Sequence, residues 1–162
     1  VQGGMKDLAN LGKADIVILS HVFEHFTDLK HAMSELEKLV HDKSFIYIEV
    51  PGINDLENKK EYKYNYQMYS VLAHTYNFSL QSLTNVMNYG DFELITGDEF
   101  VRTLFKLSKK DSLKSEFISA FSDTMAALEK ANGKSEKYKR FRNSYFVNYL
   151  IKIIKAFLDR DT

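Results

Sequence analysis

The sequence predicts a mixed α/β fold followed by a helical extension. Two apolar runs flank an amphipathic stretch, which is the pattern of a parallel strand–helix–strand unit. Two later strand-like runs are separated by a glycine–aspartate pair, which indicates an antiparallel hairpin. The pattern after residue 110 is helical. We therefore expect two units, residues 1–110 and residues 111–162.

The strand–helix–strand unit comes first. Ala14 to Ser20 is almost entirely apolar, as expected of a strand buried on both faces of a parallel sheet. Asp28 can cap the next helix. The apolar residues of that helix recur at helical spacing: Leu29, Ala32, Met33, Leu36, Leu39 and Val40. A second apolar run, Ser44 to Val50, stops at Pro51. A helical crossover makes the two strands parallel, so their carboxyl ends should share one edge.

The middle of the chain alternates between polar and apolar stretches. Residues 53–78 are polar and rich in tyrosine, which predicts a helical or irregular excursion over the sheet edge. Ser79 can cap a helix that ends at Gly90. Phe92 to Ile95 and Phe100 to Leu107 then predict two antiparallel strands at the edge of the sheet.

Two helices are expected after Asp111, separated by a break at Asn132–Gly133. The apolar residues of the first are Leu113, Phe117, Phe121, Met125 and Leu128. The main stripe of the second is Tyr138, Phe141, Tyr145, Tyr149, Ile153 and Phe157, with Phe146, Leu150 and Ile154 beside it. This surface is wider than a lone surface helix needs, so we expect a contact in a homodimer or a helical bundle.

Composition narrows the class of protein. The 162 residues are 44% hydrophobic with zero net charge, so a packed core can form. The absence of cysteine excludes disulfides and thiol nucleophiles. No apolar run reaches the roughly 20 residues of a membrane span. We therefore expect a cytoplasmic protein without membrane contact. Residues 1–100 carry a net charge of −7 and residues 101–162 a net charge of +7, but acidic residues interrupt the basic part, so no nucleic-acid partner is expected.

A polar cluster follows the first predicted strand. Ser20, His21, Glu24 and His25 stand where open α/β sheets bind their ligands, at a strand's carboxyl end. The alternative is that these groups cap the next helix and face solvent. The spacing of His21, Glu24 and His25 also matches the literal H-x-x-E-H zinc-hydrolase pattern. That chemistry requires both histidines on one preformed helix and a third ligand, for which His31, His41 and His74 are available. The motif begins at a strand end, so we expect no metal site, and a zinc hydrolase is the less favoured alternative function.

Three ordered motifs resemble class I S-adenosylmethionine-dependent methyltransferases. The stretch from Ala14 to Asp28 is similar to their fourth-strand motif, with an aspartate, an apolar strand, a leucine–glutamate–histidine corner and a helix-opening aspartate. Ser44 to Pro51 is similar to the fifth strand, which ends in glutamate, valine and proline. His74 to Ser79, with Leu83 and Gly90 to Phe92, resembles the segment that enters strand six. The likeness covers about residues 14–107 and is nearest to members that modify small molecules and sugars.

The resemblance implies an incomplete Rossmann-like methyltransferase sheet and S-adenosylmethionine as cofactor. Glu24 and His25 would then lie by the methionine end of the cofactor and the substrate, with His21 at a variable position of the same corner. His74 would lie over the substrate mouth. Ser20, His21 and Val22 are the expected cofactor contacts of the corner, and Asp7 would contact the adenine ring. A histidine suits the role of base because it titrates near neutral pH.

One departure from the family's pattern limits these implications. The family binds its cofactor with a glycine-rich loop after its first strand and an acid that ends its second. Gly3–Gly4 is not that loop, and Val1 to Gly4 is interpreted as the end of a third strand. We therefore interpret the chain as the C-terminal portion of a methyltransferase for a small molecule, such as a sugar or polysaccharide precursor, inactive by itself. The alternative is a non-catalytic module for interaction or dimerisation.

Overall fold

A four-stranded sheet forms the centre of the fold in the computed structural model, which describes residues 5–70, 72–108 and 117–158. The strands are β1 (Ala14–Ser20), β2 (Val40–Glu49), β3 (Phe92–Gly97) and β4 (Arg102–Leu107). Their order across the sheet is β1-β2-β4-β3. β1 and β2 are parallel, and β4 is antiparallel to both of its neighbours, β2 and β3.

Six α-helices surround or follow this sheet in the described residues. They are α1 (Met5–Leu8), α2 (Leu29–Leu39), α3 (Tyr66–Tyr69), α4 (Leu80–Tyr89), α5 (Phe121–Arg142) and α6 (Tyr145–Leu158). Four single turns of 3₁₀-helix lie between them: Ala9–Leu11, Phe23–His25, Leu56–Asn58 and Lys60–Tyr62. None of the described helices is both long and apolar enough to cross a membrane.

The predicted strand–helix–strand unit is confirmed. Asp28 caps α2, where its carboxylate accepts the backbone N–H of His31 at 2.9 Å. β2 begins earlier than the sequence predicts, at Val40, because the chain passes directly from α2 into an extended conformation. Both strands therefore end at one edge of the sheet, at Ser20 and Glu49.

The capped helix and the hairpin are confirmed as well. The Ser79 hydroxyl caps α4, and the helix ends at Gly90. β3 and β4 pair in antiparallel orientation through a turn in which the Val101 N–H donates to the Asp98 carbonyl at 2.8 Å. β4 inserts beside β2, so β3 takes the outer edge.

The expectation that β1 is buried on both faces is wrong for the described chain. The core lies on one face of the sheet, where side chains of α2 and α4 pack against inward residues such as Leu19, Ile46 and Phe105. On the opposite face Ile16 is 60% and Ile18 66% exposed, and Phe45 is also exposed. The reason is that no described helix packs over those positions.

The tyrosine-rich excursion forms short turns and supports α5. Leu56 and Tyr69 form a second small core with Ala131 of α5. The ammonium group of Lys130 lies 2.6 Å and that of Lys134 2.9 Å from the Glu57 carboxylate. The extension is thereby fixed to the excursion rather than to the sheet.

The predicted helix break at Asn132–Gly133 is wrong. α5 runs through both residues, and the break falls at Asn143–Ser144 instead. One internal glycine costs a helix only about 1 kcal/mol, and the contacts of Ala131, Lys130 and Lys134 lie on either side of it. The predicted helix start at Asp111 with Leu113, the side chain of Phe157, and Val1 to Gly4 lie outside the described residues.

Two glycine substitutions test this packing in opposite directions. A Cβ at Gly52 would collide with the backbone carbonyl of Glu99, so Gly52→Ala should lower the free energy of unfolding by about 2 kcal/mol. A Cβ at Gly133 meets nothing within 4 Å, so Gly133→Ala should raise it by about 0.5–1 kcal/mol. Urea unfolding followed by circular dichroism measures both. A destabilised Gly133→Ala variant would contradict the continuous α5.

Candidate active site

The corner that follows β1 carries the candidate site. The backbone N–H of His21 donates to the Glu49 carbonyl at 2.8 Å, which ties the start of the corner to the end of β2. The chain then makes one 3₁₀ turn, Phe23–His25, before Asp28 opens α2. Phe23 is fully buried and anchors the turn in the core. The predicted position of these residues, at the carboxyl edge of the sheet, is confirmed.

His21 occupies the left-handed region of backbone conformation, with φ of 52°. Residues other than glycine adopt this conformation rarely, and such strained residues cluster at functional sites. Nδ1 of the His21 ring lies 3.5 Å from Oε1 of Glu24. The sharp turn therefore sets an exposed imidazole against a buried carboxylate.

Glu24 is the centre of the cluster. Its side chain is only 1% exposed, and neither carboxylate oxygen has a hydrogen-bond partner among the described residues. Three imidazoles surround it. Oε1 lies 3.5 Å from Nδ1 of His21, 3.8 Å from Nε2 of His25 and 4.0 Å from Nε2 of His74. A carboxylate removed from water without hydrogen bonds is energetically costly, so this arrangement is not explained by stability alone.

Residues 73–76, which carry His74 and are called the strap below, are held against the corner by backbone hydrogen bonds. The N–H groups of Thr75 and Tyr76 donate to the Glu24 carbonyl at 2.9 and 3.2 Å. Nδ1 of His25 lies 2.7 Å from the carbonyl oxygen of Ala73. A carbonyl only accepts, so Nδ1 must carry the proton and Nε2 faces Glu24. The His25 and His74 rings meet edge to face, with centroids 5.0 Å apart.

A cavity of about 250 Å³ adjoins the cluster at the same edge of the sheet. His21 lines it on the side of the cluster. The other lining residues are Glu49, Val50, Pro51, Lys59, Glu61, Tyr62, Tyr69, Phe100 and Arg102. The Tyr62 and Tyr69 rings pack edge to face at 5.4 Å, and burial raises the pKa of the Tyr69 phenol well above its usual range. The walls thus combine aromatic rings with groups of both charges.

Sequence reasoning missed the part of this cavity that Glu49 and Arg102 form. Oε2 of Glu49 lies 3.5 Å from the Ser20 hydroxyl and accepts from the Tyr47 hydroxyl at 3.3 Å. Burial, together with the Glu49 carboxylate, raises the pKa of the Tyr47 phenol. The signal for Glu49 was its place at the end of β2. Arg102 begins β4 opposite Glu49, a position that only the antiparallel register reveals.

The structure brings together four of the predicted site residues: His21, Glu24, His25 and His74. Ser20 and Val22 lie in the same corner, whereas Asp7 lies in α1 before β1 and does not line the cavity. His31 and His41 are elsewhere, at the start of α2 and of β2. His21 precedes the 3₁₀ turn, so the described chain does not form the helix that an H-x-x-E-H hydrolase requires.

A family model described as a methyltransferase domain matches residues 3–96, more than half of the chain. The chain belongs to this methyltransferase domain family. Such domains generally use S-adenosylmethionine as the methyl donor. No curated protein matches the chain. In this methyltransferase domain, the matched residues include the whole corner and the strap that carries His74.

The isolation of the Glu24 carboxylate makes a testable prediction for stability. At pH 8 and in the presence of a chelator, Glu24→Gln should retain or raise the midpoint of thermal unfolding, because it removes a buried charge without hydrogen bonds. Differential scanning calorimetry measures the change.

Glu35→Gln is the matched control. Glu35 is also buried, but one of its oxygens accepts from Lys38 at 2.6 Å, so this change should lower the midpoint. If Glu24→Gln instead lowered the free energy of unfolding by more than about 1 kcal/mol, the histidines would be shown to be protonated and to pair with the carboxylate.

Proposed function

We propose that this methyltransferase domain supplies the acceptor side of an S-adenosylmethionine-dependent methyltransferase that acts on a small hydroxyl-bearing molecule, such as a sugar or polysaccharide precursor. The observation that carries the proposal is the cluster of Glu24, His25 and His74, which His21 connects to a cavity at the carboxyl edge of the sheet. Ligands of open α/β sheets bind at that edge.

His25 is the proposed general base. When bound, S-adenosylmethionine would supply a methyl group on a sulfonium. The acceptor oxygen would attack that methyl carbon in line, so that the new O–C bond forms as the C–S bond breaks and the thioether leaves. Nε2 of His25 accepts the proton that the acceptor hydroxyl loses. The buried Glu24 carboxylate stabilises the imidazolium that forms, while the Ala73 carbonyl holds the ring through Nδ1. His74 would orient the acceptor from the opposite side, and His21 from the cavity.

The cavity favours a small polar acceptor. Tyr62 and Phe100 offer flat apolar surface, whereas Lys59, Arg102 and Glu49 offer hydrogen-bonding groups around it. This mixture suits a molecule with several hydroxyl groups better than an apolar ligand.

The sequence supplies only some of the residues expected to contact the cofactor. Ser20, His21 and Val22 are proposed cofactor contacts, and Asp7 is proposed to contact the adenine. The sequence has no glycine-rich loop between a strand and a helix. Among the described residues β1 has no strand on its outer side, and this edge together with the exposed Ile16 and Ile18 supports a further segment packed against this side of the sheet. We therefore propose that cofactor binding and activity require that segment.

The test is methyl transfer by the protein together with its cofactor-binding segment. His25→Ala should lower kcat by about a hundredfold or more, because general-base catalysis contributes that much, and should leave the unfolding midpoint nearly unchanged. Transfer of labelled methyl groups to a panel of sugars and sugar nucleotides measures the rate. The plot of kcat against pH should also lose the rise that comes from deprotonation of the general base.

His31→Ala is the matched control, since His31 stands outside the cluster at the start of α2. It should keep the wild-type rate. Equal losses of rate and unfolding midpoint in His25→Ala would support a capping role instead. Micromolar binding of S-adenosylmethionine to the 162-residue chain alone, measured by calorimetry, would contradict the proposed need for a further segment.

A second candidate function, a module for dimerisation, is favoured by the surface of α6. Tyr145 is 87% exposed and Phe146 68%, with Tyr149 and Ile154 also more than half exposed. Monomeric proteins rarely expose an apolar patch of this kind. The two functions are compatible, because a helix outside the sheet can join two copies without touching the candidate site.

Sedimentation equilibrium tests the role of α6. The chain should sediment as a dimer, and Ile154→Glu should shift it to a monomer because a charge would enter the apolar contact. Lys152→Glu, a change outside the apolar residues, is the matched control and should leave the dimer intact. A monomeric wild-type chain at all concentrations would rule out this role.

A further inference from the structure

Three potential metal ligands converge at the corner after β1. A carboxylate oxygen of Glu24, a ring nitrogen of His25 and a ring nitrogen of His74 all lie within 4.8 Å of one another. These ligands come from two separate segments, the corner and the strap at residues 73–76. Their convergence is therefore a product of the tertiary fold and not of one local motif.

The Glu24 carboxylate is an independent sign that a cation belongs here. Both of its oxygens are buried and have no hydrogen-bond partner among the described residues. When Nδ1 of a neutral His25 donates to Ala73, Nε2 directs a lone pair to a carboxylate oxygen 3.8 Å away. Two acceptors that face each other, one of them buried, repel unless a proton or a metal cation lies between them.

The surroundings of His25 have the form found around metal-binding histidines. Such histidines nearly always donate the N–H of their other ring nitrogen to a carboxylate, a backbone carbonyl or water, which fixes the ring and its tautomer. Here the Ala73 carbonyl, 2.7 Å from Nδ1, has that role. The strap that presents His74 is itself held by two hydrogen bonds to the Glu24 carbonyl.

We propose that Glu24, His25 and His74 bind a divalent transition-metal ion, for which Zn²⁺ is the reference. Two imidazoles and one carboxylate with an open position are the ligands of a catalytic zinc site. Ligands at about 2.1 Å from a tetrahedral ion lie about 3.4 Å from one another. Small side-chain rotations on metal binding would bring the observed 3.8 and 4.0 Å to that spacing. A third imidazole, that of His21, has its Nδ1 3.5 Å from the same Glu24 oxygen.

Metal binding and the base role of His25 exclude each other, because Nε2 has one lone pair. With the ion bound, an acceptor hydroxyl in the open position would coordinate the metal, which would lower its pKa so that the proton passes to solvent water and no protein base is required. This consequence rests on the proposed methyl transfer, whereas the binding of the ion does not.

Calorimetric titration of Zn²⁺ into the chelator-treated 162-residue chain tests the site without cofactor or acceptor. We expect one ion per chain with micromolar or tighter affinity, and a loss of about a hundredfold in Glu24→Gln and in His74→Gln. The visible absorption spectrum of bound Co²⁺ should show the intensity of a four-coordinate site in the wild type and lose it in both variants. Circular dichroism verifies that each variant is folded.

His41→Gln is the matched control. His41 lies 3.1 Å from Asp15 and 3.9 Å from Asp42 on the surface, which makes it the competing location for adventitious metal. The proposal requires that this variant binds Zn²⁺ like the wild type. No binding, or binding that His41→Gln abolishes while Glu24→Gln does not, would overturn it. Failure of methyl transfer with metal binding intact would refute the proposed function alone.

Discussion

Five consecutive residue pairs, from Ile16 with Phe45 to Ser20 with Glu49, join β1 and β2 in parallel. This pairing exists because α2 carries the chain back along the sheet, and it sends both carboxyl ends to one edge. Every part of the candidate site depends on that geometry. The corner after β1 donates its first hydrogen bond, from the His21 N–H, to the Glu49 carbonyl, and the cavity opens where β2 ends before Pro51.

The sequence predicted the parts of the fold that local chemistry decides. Asp28 and Ser79 mark helix starts because their short side chains cap free N–H groups, and both do so. The prediction that Ile16 and Ile18 are buried is wrong because an apolar run shows that a strand can be buried, but not whether anything covers it. The pattern predicts a break at Gly133 because the sequence alone does not show the contacts that hold a helix together on both sides of a residue with low helix propensity.

In the candidate site, too, local sequence predicts some positions and tertiary contacts decide the others. The motif placed His21, Glu24 and His25 together because they are neighbours in the chain at the end of a strand. That His74 meets them depends on backbone hydrogen bonds between segments about fifty residues apart, which no local pattern encodes. Arg102 enters the cavity only through the register of an antiparallel pair. The burial of the Glu24 carboxylate without hydrogen bonds lowers stability, and such unfavourable arrangements are expected at functional sites.

The outer edge of β1 has a consequence for how the isolated chain behaves in solution. Among the described residues this strand has no neighbour on one side, so its backbone groups can template another strand, and Ile16 and Ile18 supply the apolar surface that such pairing prefers. Lys13 and Asp15 are the charges that flank or interrupt the run, in the position of gatekeepers against aggregation. In a purified chain these two charged residues would accordingly be what limits edge-to-edge association of one β1 strand with another.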